Sequence, residues 1–558
     1  MIRLPSIYLG AIFSVLVLVS WCQAQNSGMT QYSYLTDYEL TVFGESIPAF
    51  YESDTVEGKV HSNDSLRITG SPVFLDTIST SRSAFCQGPG YNPQFTYPPI
   101  FGAPRIYFPP EATELRELAQ EQGFLFSDPL QETQYRMQLT GAQGWIMYEW
   151  RIGEPFDPEQ AEIFYGPVPD DDAIFVDGYL ELEGVFMGKA TIGAHGSYDN
   201  NDLGKHCIRL LDDVRYWFAN PYTGAFNDTT GGYEDRLLII SESNITIGNT
   251  WENGRENRSY GADIIITAGL IALGNEAEPH FWGCFSFEDQ NDVGFTWEFS
   301  TGSYICPTPP SNDERGAIHL WGSLAQQRRG YVHRSNHSGT GYGRDYHYDN
   351  RFRYFDFVAD IPANHNPLLW PEDIDFGEVQ IGDSLILQTM LSNLGGTYID
   401  INGATTSTSL FELVAGDTTV SLIPGDSRLY EIQFTPQELG EHTDTLLIDL
   451  QFGEDLYVPL RGIGTTLGIS EPGHRPESFQ LSAFPNPFNN EVRLSWTGLH
   501  DQGLLSIFDT FGREVYRAVV TPGINHLVWQ PHHLSTGLYF LQLRTNDLTT
   551  TSKIVYVK

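Results

Sequence analysis

From about Gln25 to His365 the chain carries short runs in which large or branched apolar residues alternate with polar ones and then stop at glycine. They read "GKVHSNDSLRITGSPVF", "FVDGYLELEGVFMGKATIGA", "RLLIISESNITIGN", "GADIIITAGLIALGN" and "GAIHLWGSLAQQ". A period of two turns one face of each run inward and predicts strands. Runs this short cannot cover their own inner face. The pattern therefore predicts strands coiled into stacked rungs, an irregular β-solenoid-like core interrupted by long loops, with a β-sandwich as the alternative. Irregular spacing excludes a tidy repeat. One stretch has helical spacing instead: in "PPEATELRELAQEQGFLF", Leu115, Leu118 and Ala119 share a face behind two prolines.

The texture changes twice further on. Residues 366–466 are cysteine-free and alternate clearly, as in Leu385, Leu387 and Thr389 and in Tyr430, Ile432 and Phe434, with turns at Gly382-Asp383 and Pro424-Gly425-Asp426. This suits a seven-strand sandwich of ~100 residues. A linker at 467–481 contains "GISEPGHRPESF" and leads to a small terminal sandwich at 482–558. There Val492, Leu494 and Trp496 face one way and Glu491, Arg493 and Ser495 the other, while Pro485 and Pro487, unable to donate backbone hydrogen bonds, mark a strand edge. The fold class is all-β: a solenoid-like domain at 25–365 followed by two β-sandwiches. Fifty-four glycines, thirty-two prolines and 13% aromatic residues agree with a turn-rich β-protein.

The first 24 residues place Arg3 before an apolar run from Ile7 to Val19, with Ala24 as a small residue for cleavage, the pattern of a secretory signal peptide. The run is shorter than the ~20 apolar residues of a spanning helix, and bulky Trp21 before Cys22 argues against a lipid anchor. Charge sharpens the picture: 31 basic against 71 acidic residues give −40, a field that repels nucleic acid and anionic membranes. Removing the signal leaves Cys86, Cys207, Cys284 and Cys306, an even set without CxxC spacing, for which disulfides are the leading expectation in an oxidising compartment. Cys284 and Cys306 bracket a short segment and are expected to pair, leaving Cys86 for Cys207.

Three segments resemble known families. "FPNPFNNEVRLSW", "LLSIFDTFGREVYR", "GINHLVWQPHHLSTGLYFLQLR" and the closing "KIVYVK" occur in order and look like the type A sorting domain of the type IX secretion system. That resemblance implies Pro485, Asn486, Pro487, Phe488, Gly512, Arg513, Gly537, Tyr539, Lys553 and Lys558 as sorting-motif residues, and the type IX machinery as a partner. Residues from about Leu368 to Gly464 resemble immunoglobulin-like domains of the ASPM/SPD-2/Hydin type. "EGKVHSNDSLRITGSPVFLDTIST" and "GSLAQQRRGYVHRSNHSGTGYGRDYHYDNRFRY" look like the opening and closing of an uncharacterised bacterial surface family, sometimes associated with pilus-type proteins. This last likeness implies location and architecture more than chemistry.

Catalytic motifs are absent: the chain has no HExxH, GxSxG or Walker loop, and "GTGYG" at Gly339 to Gly343 lacks the dinucleotide pattern. Asp345, His347 and Asp349 in "DYHYD" share a strand face that could gather a metal, against a plain surface strand burying Tyr346 and Tyr348. His532-His533 reads as a solvated turn. "DNNDLG" offers Asp199, Asn201 and Asp202, and "DQNDVG" offers Asp289, Asn291 and Asp292, oxygen-rich loops ahead of a glycine. Leu203 and Val293 stand where a further oxygen ligand belongs, so ordinary hairpin turns compete, and calcium is the one metal worth testing. The sequence therefore points to an exported cell-surface or extracellular protein with structural or adhesive work, with surface polysaccharide or other surface proteins as further partners. The alternative is a secreted carbohydrate-active enzyme with a solenoid catalytic domain. An enzyme should line one groove with carboxylates plus Arg or His, whereas a structural protein should scatter them.

Overall fold

The computed structural model describes residues 27–40, 49–128, 130, 132–196, 208–226, 234–255, 262–275, 282–288, 296–298, 303–305, 313–334, 340–355, 357–416, 418–466, 480–486, 488–489, 491–497, 503–508, 514–521, 526–531, 534, 537–545 and 549–556. The stretch expected to be a signal peptide, residues 1–24, lies outside them. The described residues are all-β apart from the α-helix Thr113–Gln122 and three 3-10 turns.

The N-terminal region is built on two long ladders of parallel strands. The first runs Leu125–Ser127, Asp170–Asp177, Lys189–Ala194, Arg236–Ser241, Gly269–Ala272, Asp313–Arg328, Tyr32–Tyr38, Lys59–Ser62, Ile78–Thr80, Ile100–Phe101, each parallel to the next. The second passes from Thr133–Thr140 through Leu180–Phe186, Ile208–Tyr216 and Ile264–Ile266 to Asp313–Arg328 and Thr340–Tyr348. Antiparallel strands Trp145–Arg151 and Glu162–Gly166 close its first end. Runs such as Arg236–Ser241 and Ile264–Ile266 are apolar on both faces because both faces are covered. Leu237, Ile239, Ile192 and Ile245 fill the core between the ladders. Leu238, Ile240 and Phe175 face a second core roofed by Leu115 and Ala119 of the helix, which is why the one helical pattern sits where it does.

Stacking order is not chain order. The chain starts in the middle of the stack, builds outward to Ile100–Phe101, runs back along the outside through residues 103–112 and the helix, and restarts at Leu125–Ser127. It climbs until Asp313–Arg328 lies beside Tyr32–Tyr38, with Tyr34 opposite Leu324 and Tyr38 opposite Arg328. The segment that reads as a closing therefore meets Tyr32–Tyr38 at a seam, and that one strand separates it from the opening segment at Lys59–Ser62.

The immunoglobulin-like region pairs a four-stranded with a five-stranded sheet. The expected seven strands fall short because Pro367–Trp370 and Val420–Leu422 are short edge strands with no alternating signature. Tyr430, Ile432 and Phe434 are buried as their alternation requires, and Phe434 stacks on Phe411 at 4.5 Å. The outer return segment ties this domain to the stack: Arg105 donates to both carboxylate oxygens of Asp400 at 3.0 and 2.7 Å, and Tyr107 meets Tyr398 edge-on. The terminal module is a three-stranded sheet (Gln480–Phe484, Val492–Thr497, His526–Trp529) over a four-stranded one (Glu514–Val520, Gly503–Phe508, Gly537–Arg544, Thr549–Tyr556), with Val492, Leu494 and Trp496 in the core between them. Among the described residues no helix is long and apolar enough to cross a membrane.

Candidate functional site

In the terminal module the "FPNPF" stretch is a clasp on the last strand. The side chain of Asn486, buried, donates to the Lys553 carbonyl at 2.8 Å and accepts from the Val555 amide at 2.7 Å, so an amide side chain stands in for a strand. Two residues on, the Phe488 amide donates to the Val555 carbonyl, and its ring packs against Trp529 and Tyr556 at 5.6 and 5.3 Å. Pro485 follows a cis peptide and is exposed. Tyr539 is buried and Lys553 exposed on paired strands, with Gly537 at the start of the first; Pro487, Gly512, Arg513, Lys558 and His532-His533 lie outside the described residues. The motif thus completes the four-stranded sheet and leaves Pro485 exposed at its rim.

The seam explains the N-terminal motifs. His61 is buried between Ser79 and Asn63, at 2.9 and 3.1 Å, and burial pushes its pKa down to about 4, so it is neutral. Asn63 accepts from the Ile106 amide at 2.8 Å and donates to the Ile106 carbonyl at 2.6 Å, fastening the return segment. In the closing motif a Cβ on Gly322 or Gly330 would lie 1.8 Å from the carbonyl oxygen of Ala268 or Phe285, so only glycine fits those approaches. Gln326 accepts from the Phe285 and Gly330 amides, both at 3.1 Å. Arg329 pairs at 3.2 Å with Glu39, both buried, and reaches Tyr34 at 3.0 Å, joining the ends of a 290-residue interval. Asp349, expected beside Asp345 and His347 on a metal-gathering face, is instead buried and held by Arg351, whose guanidinium sits 4.8 Å from the Phe226 ring. The strand turns into a 3-10 segment there and carries Asp349 off the shared face; Tyr348 is buried, as the plain-strand alternative required.

Asp345 and His347 do belong to a cluster, assembled from other strands. Register sets His319 opposite Asp345 and Trp321 opposite His347. Asp345 accepts from both imidazoles, at 2.6 Å from His319 and 3.0 Å from His347, and these bonds hold its pKa below the usual range against the opposing effect of burial. Asp263 lies 3.8 Å from His319, and the His347 ring stacks on Trp321 at 4.1 Å. In the adjoining strand Asp213 accepts from the Ile265 amide at 2.8 Å, and burial raises its pKa to about 6. The turn at 220–225 folds over this face, its Thr223 carbonyl accepting from the Trp321 indole at 2.9 Å. Among the described residues no group of His, Cys, Asp and Glu has metal-holding geometry. The available signal was the matched spacing of His319-x-Trp321 and Asp345-x-His347; what hid it was the 26-residue gap and the register across it.

Other carboxylates are taken up by arginine. Arg136 donates to Glu181 at 2.7 Å, Arg209 reaches Glu181 at 3.1 Å and both oxygens of Glu288 at 2.8 Å, a charge ladder running across the rungs. Glu242, fully buried, accepts from His195 at 2.5 Å and from the Ala112 amide, and its bond raises the His195 pKa.

Both candidate calcium loops, Asp199, Asn201, Asp202 and Asp289, Asn291, Asp292, lie outside the described residues, as do Cys207 and Cys306. Cys86 is exposed and Cys284 buried, both free. Burial pushes the Cys284 thiol up to about 12, which keeps it protonated. Cys86 pairs with Arg67 at the far end of the stack, whereas Ile208, next to Cys207, pairs with Leu180 and Ile245 several strands away.

Comparison with known proteins identifies two of the three folding units. Residues 482–558 match the secretion system C-terminal sorting domain, and residues 368–463 match the HYDIN/CFA65/VesB-like, Ig-like domain. The chain is a secreted or cell-surface protein, exported via the periplasm and presented to the type IX secretion machinery by its last domain. No curated protein matches it. Similar solved structures include the VesB protease of Vibrio cholerae (13% identity over 18% of this chain and 31% of that one, TM-score 0.15). Dimeric latent PorU from Porphyromonas gingivalis is 15% identical over 34% of this chain and 20% of that one, TM-score 0.19. Domains 5-6 of the S-layer protein SbsC are 11% identical over 35% and 99%, TM-score 0.20. This chain spans less than a third of VesB, and likenesses this weak carry no argument about its work.

Proposed function

We propose that this protein is a structural or adhesive component of a bacterial surface, with a β-solenoid-like body at 25–365 carried by an immunoglobulin-like spacer and delivered by the sorting module. The supporting observation is where the body spends its polar residues. His61, Asn63, Arg329 and Arg351 are buried and engaged by partners inside the body, Arg329 across the seam, and Glu181, Glu288 and Glu242 are neutralised by partners in place. Polysaccharide or other surface proteins are the partners such a body would meet. The test is deletion of residues 482–558 in the producing bacterium: a folded protein should accumulate in the periplasm. Fusing those residues to a signal-bearing reporter should bring it to the surface. Normal surface levels of the truncated protein would overturn the delivery reading.

A second reading, a carbohydrate-active enzyme, is favoured by one observation, the half-covered cluster of Asp213, Asp263, Asp345, His319 and His347 beside Trp321. A carboxyl with a pKa near 6 suits general acid work. Release of reducing ends from acidic or neutral polysaccharides by the wild type, lost in Asp213→Asn, would establish it; equal activity in both would dismiss it.

A further inference from the structure

We propose that the mature protein self-associates end to end, two copies meeting through the open rung formed by residues 86–101. The strands Cys86–Gln87, Gln94–Phe95 and Ile100–Phe101 each terminate their sheet: each pairs on its inner side, with Arg67–Ile68, Val73–Phe74 and Ile78–Thr80, and no described strand pairs with its outer side. At the opposite end the second ladder turns antiparallel in Trp145–Arg151 and Glu162–Gly166 and the first stops at Leu125–Ser127, in a region that carries the carboxylates Glu149, Glu162 and Asp170 to Asp172.

The side chains of the open rung match its backbone. Tyr97, Ile100 and Phe101 are 54%, 49% and 44% exposed. Phe101 rests on Phe85 at 4.9 Å, and Phe95 stacks on Phe74 at 5.4 Å, so the exposed rings stand on a packed aromatic layer. Charge then selects the occupant. In a chain with 71 acidic residues and a net charge of −40, no Asp or Glu occurs between Asp76 and Glu111. Arg82 and Arg105 are the only basic residues in that interval, and Arg105 is engaged by Asp400. Two strongly acidic copies repel over most of their surface, and this end is where they approach with least opposition. An anionic partner would find too little positive charge there to hold it. A two-fold axis through the end would set the Ile100–Phe101 edge of one copy antiparallel to that of the other, with the same donors, acceptors and apolar side chains on both sides.

The experiment is sedimentation of the full mature chain over a concentration series. The wild type should dimerise, and Ile100→Asp with Phe101→Asp should weaken association at least tenfold, since it plants like charges at the contact. Tyr97→Asp, outside any strand, should act the same way with an unchanged melting temperature, which separates lost contact from lost fold. Tyr165→Asp, an exposed position at the opposite end, should leave the dimer intact. A monomer at every concentration, a dimer surviving the aspartates, or assembly broken equally by Tyr165→Asp would each overturn the proposal, the last because it would mean head-to-tail joining.

Discussion

The N-terminal body and the terminal module use the same secondary structure in opposite ways. In the module every strand pairing is antiparallel and stays within the module, three between sequence neighbours and two across intervening strands, and the longest reach is the clasp from Asn486 to Val555. In the body, parallel strands require a crossover before each pairing, and the seam at Arg329 and Glu39 joins residues 290 positions apart. A module whose pairings all fall within its own stretch of sequence carries its fold in that stretch. A body made of remote pairs concentrates its specificity in a few buried polar residues where chain order and stacking order part.

The sharpest way to break this contrast is at the seam. Arg329→Met leaves Glu39 buried without its cation, and loss of one partner of such a pair costs about 3–5 kcal/mol. Denaturant unfolding followed by tryptophan fluorescence should show an earlier transition for the body and unchanged transitions for the two sandwiches; a uniform shift would show that the three units unfold together.

Next in size is the pH response of the body, where a buried and a half-buried group oppose one another. His61 has a folded pKa of about 4 against roughly 6.5 unfolded, so the unfolded chain binds the proton first and stability is lost as pH falls from 6.5 to 4, by about 3 kcal/mol. Asp213, raised to about 6, takes up its proton first in the folded state, so its contribution runs the other way and stability is lost as pH rises from about 4 to 6. Relative to wild type, His61→Gln should melt less steeply on acidification and Asp213→Asn more steeply; variants that track the wild type across pH 4–7 would refute both assignments.

A smaller effect is expected at the clasp. Asn486→Ala removes two hydrogen bonds and leaves the Lys553 carbonyl and Val555 amide without that partner, about 2 kcal/mol in all. Hydrogen exchange should quicken in residues 549–556 and stay unchanged in the body. Smallest of all is calcium at the two Asp/Asn loops: millimolar calcium should raise the melting temperature by a few degrees relative to chelator, and Asp289→Ala should reduce the shift.

The sandwiches were legible because alternation such as Tyr430, Ile432, Phe434 or Val492, Leu494, Trp496 states both the strand and its inner face. The same alternation in the body named the strands and the helix at Leu115 and Ala119, and left their neighbours unspecified. Nothing local in "EGKVHSNDSLRITG" says that it is two strands from "GSLAQQRRG". The cluster around Asp345 was half legible for the same reason: Asp345 and His347 alternate within one strand, but Asp213, Asp263, His319 and Trp321 come to them only through register. Asp349 misled because a 3-10 turn breaks the alternation just where it was extended by one step.

The crossing of chain order and stacking order also sets a clock. A chain emerging from its N-terminus delivers Tyr32–Tyr38 first, and the strand that flanks it on the other side is complete only at Arg328. At ~5–20 residues per second, the 290 positions between Glu39 and Arg329 correspond to roughly 15–60 s during which the leading rungs wait with an open edge. Whatever accompanies the emerging chain must keep that edge from premature pairing until Arg328 has followed, so the demand this protein makes on its cell is one of timing before it is one of destination.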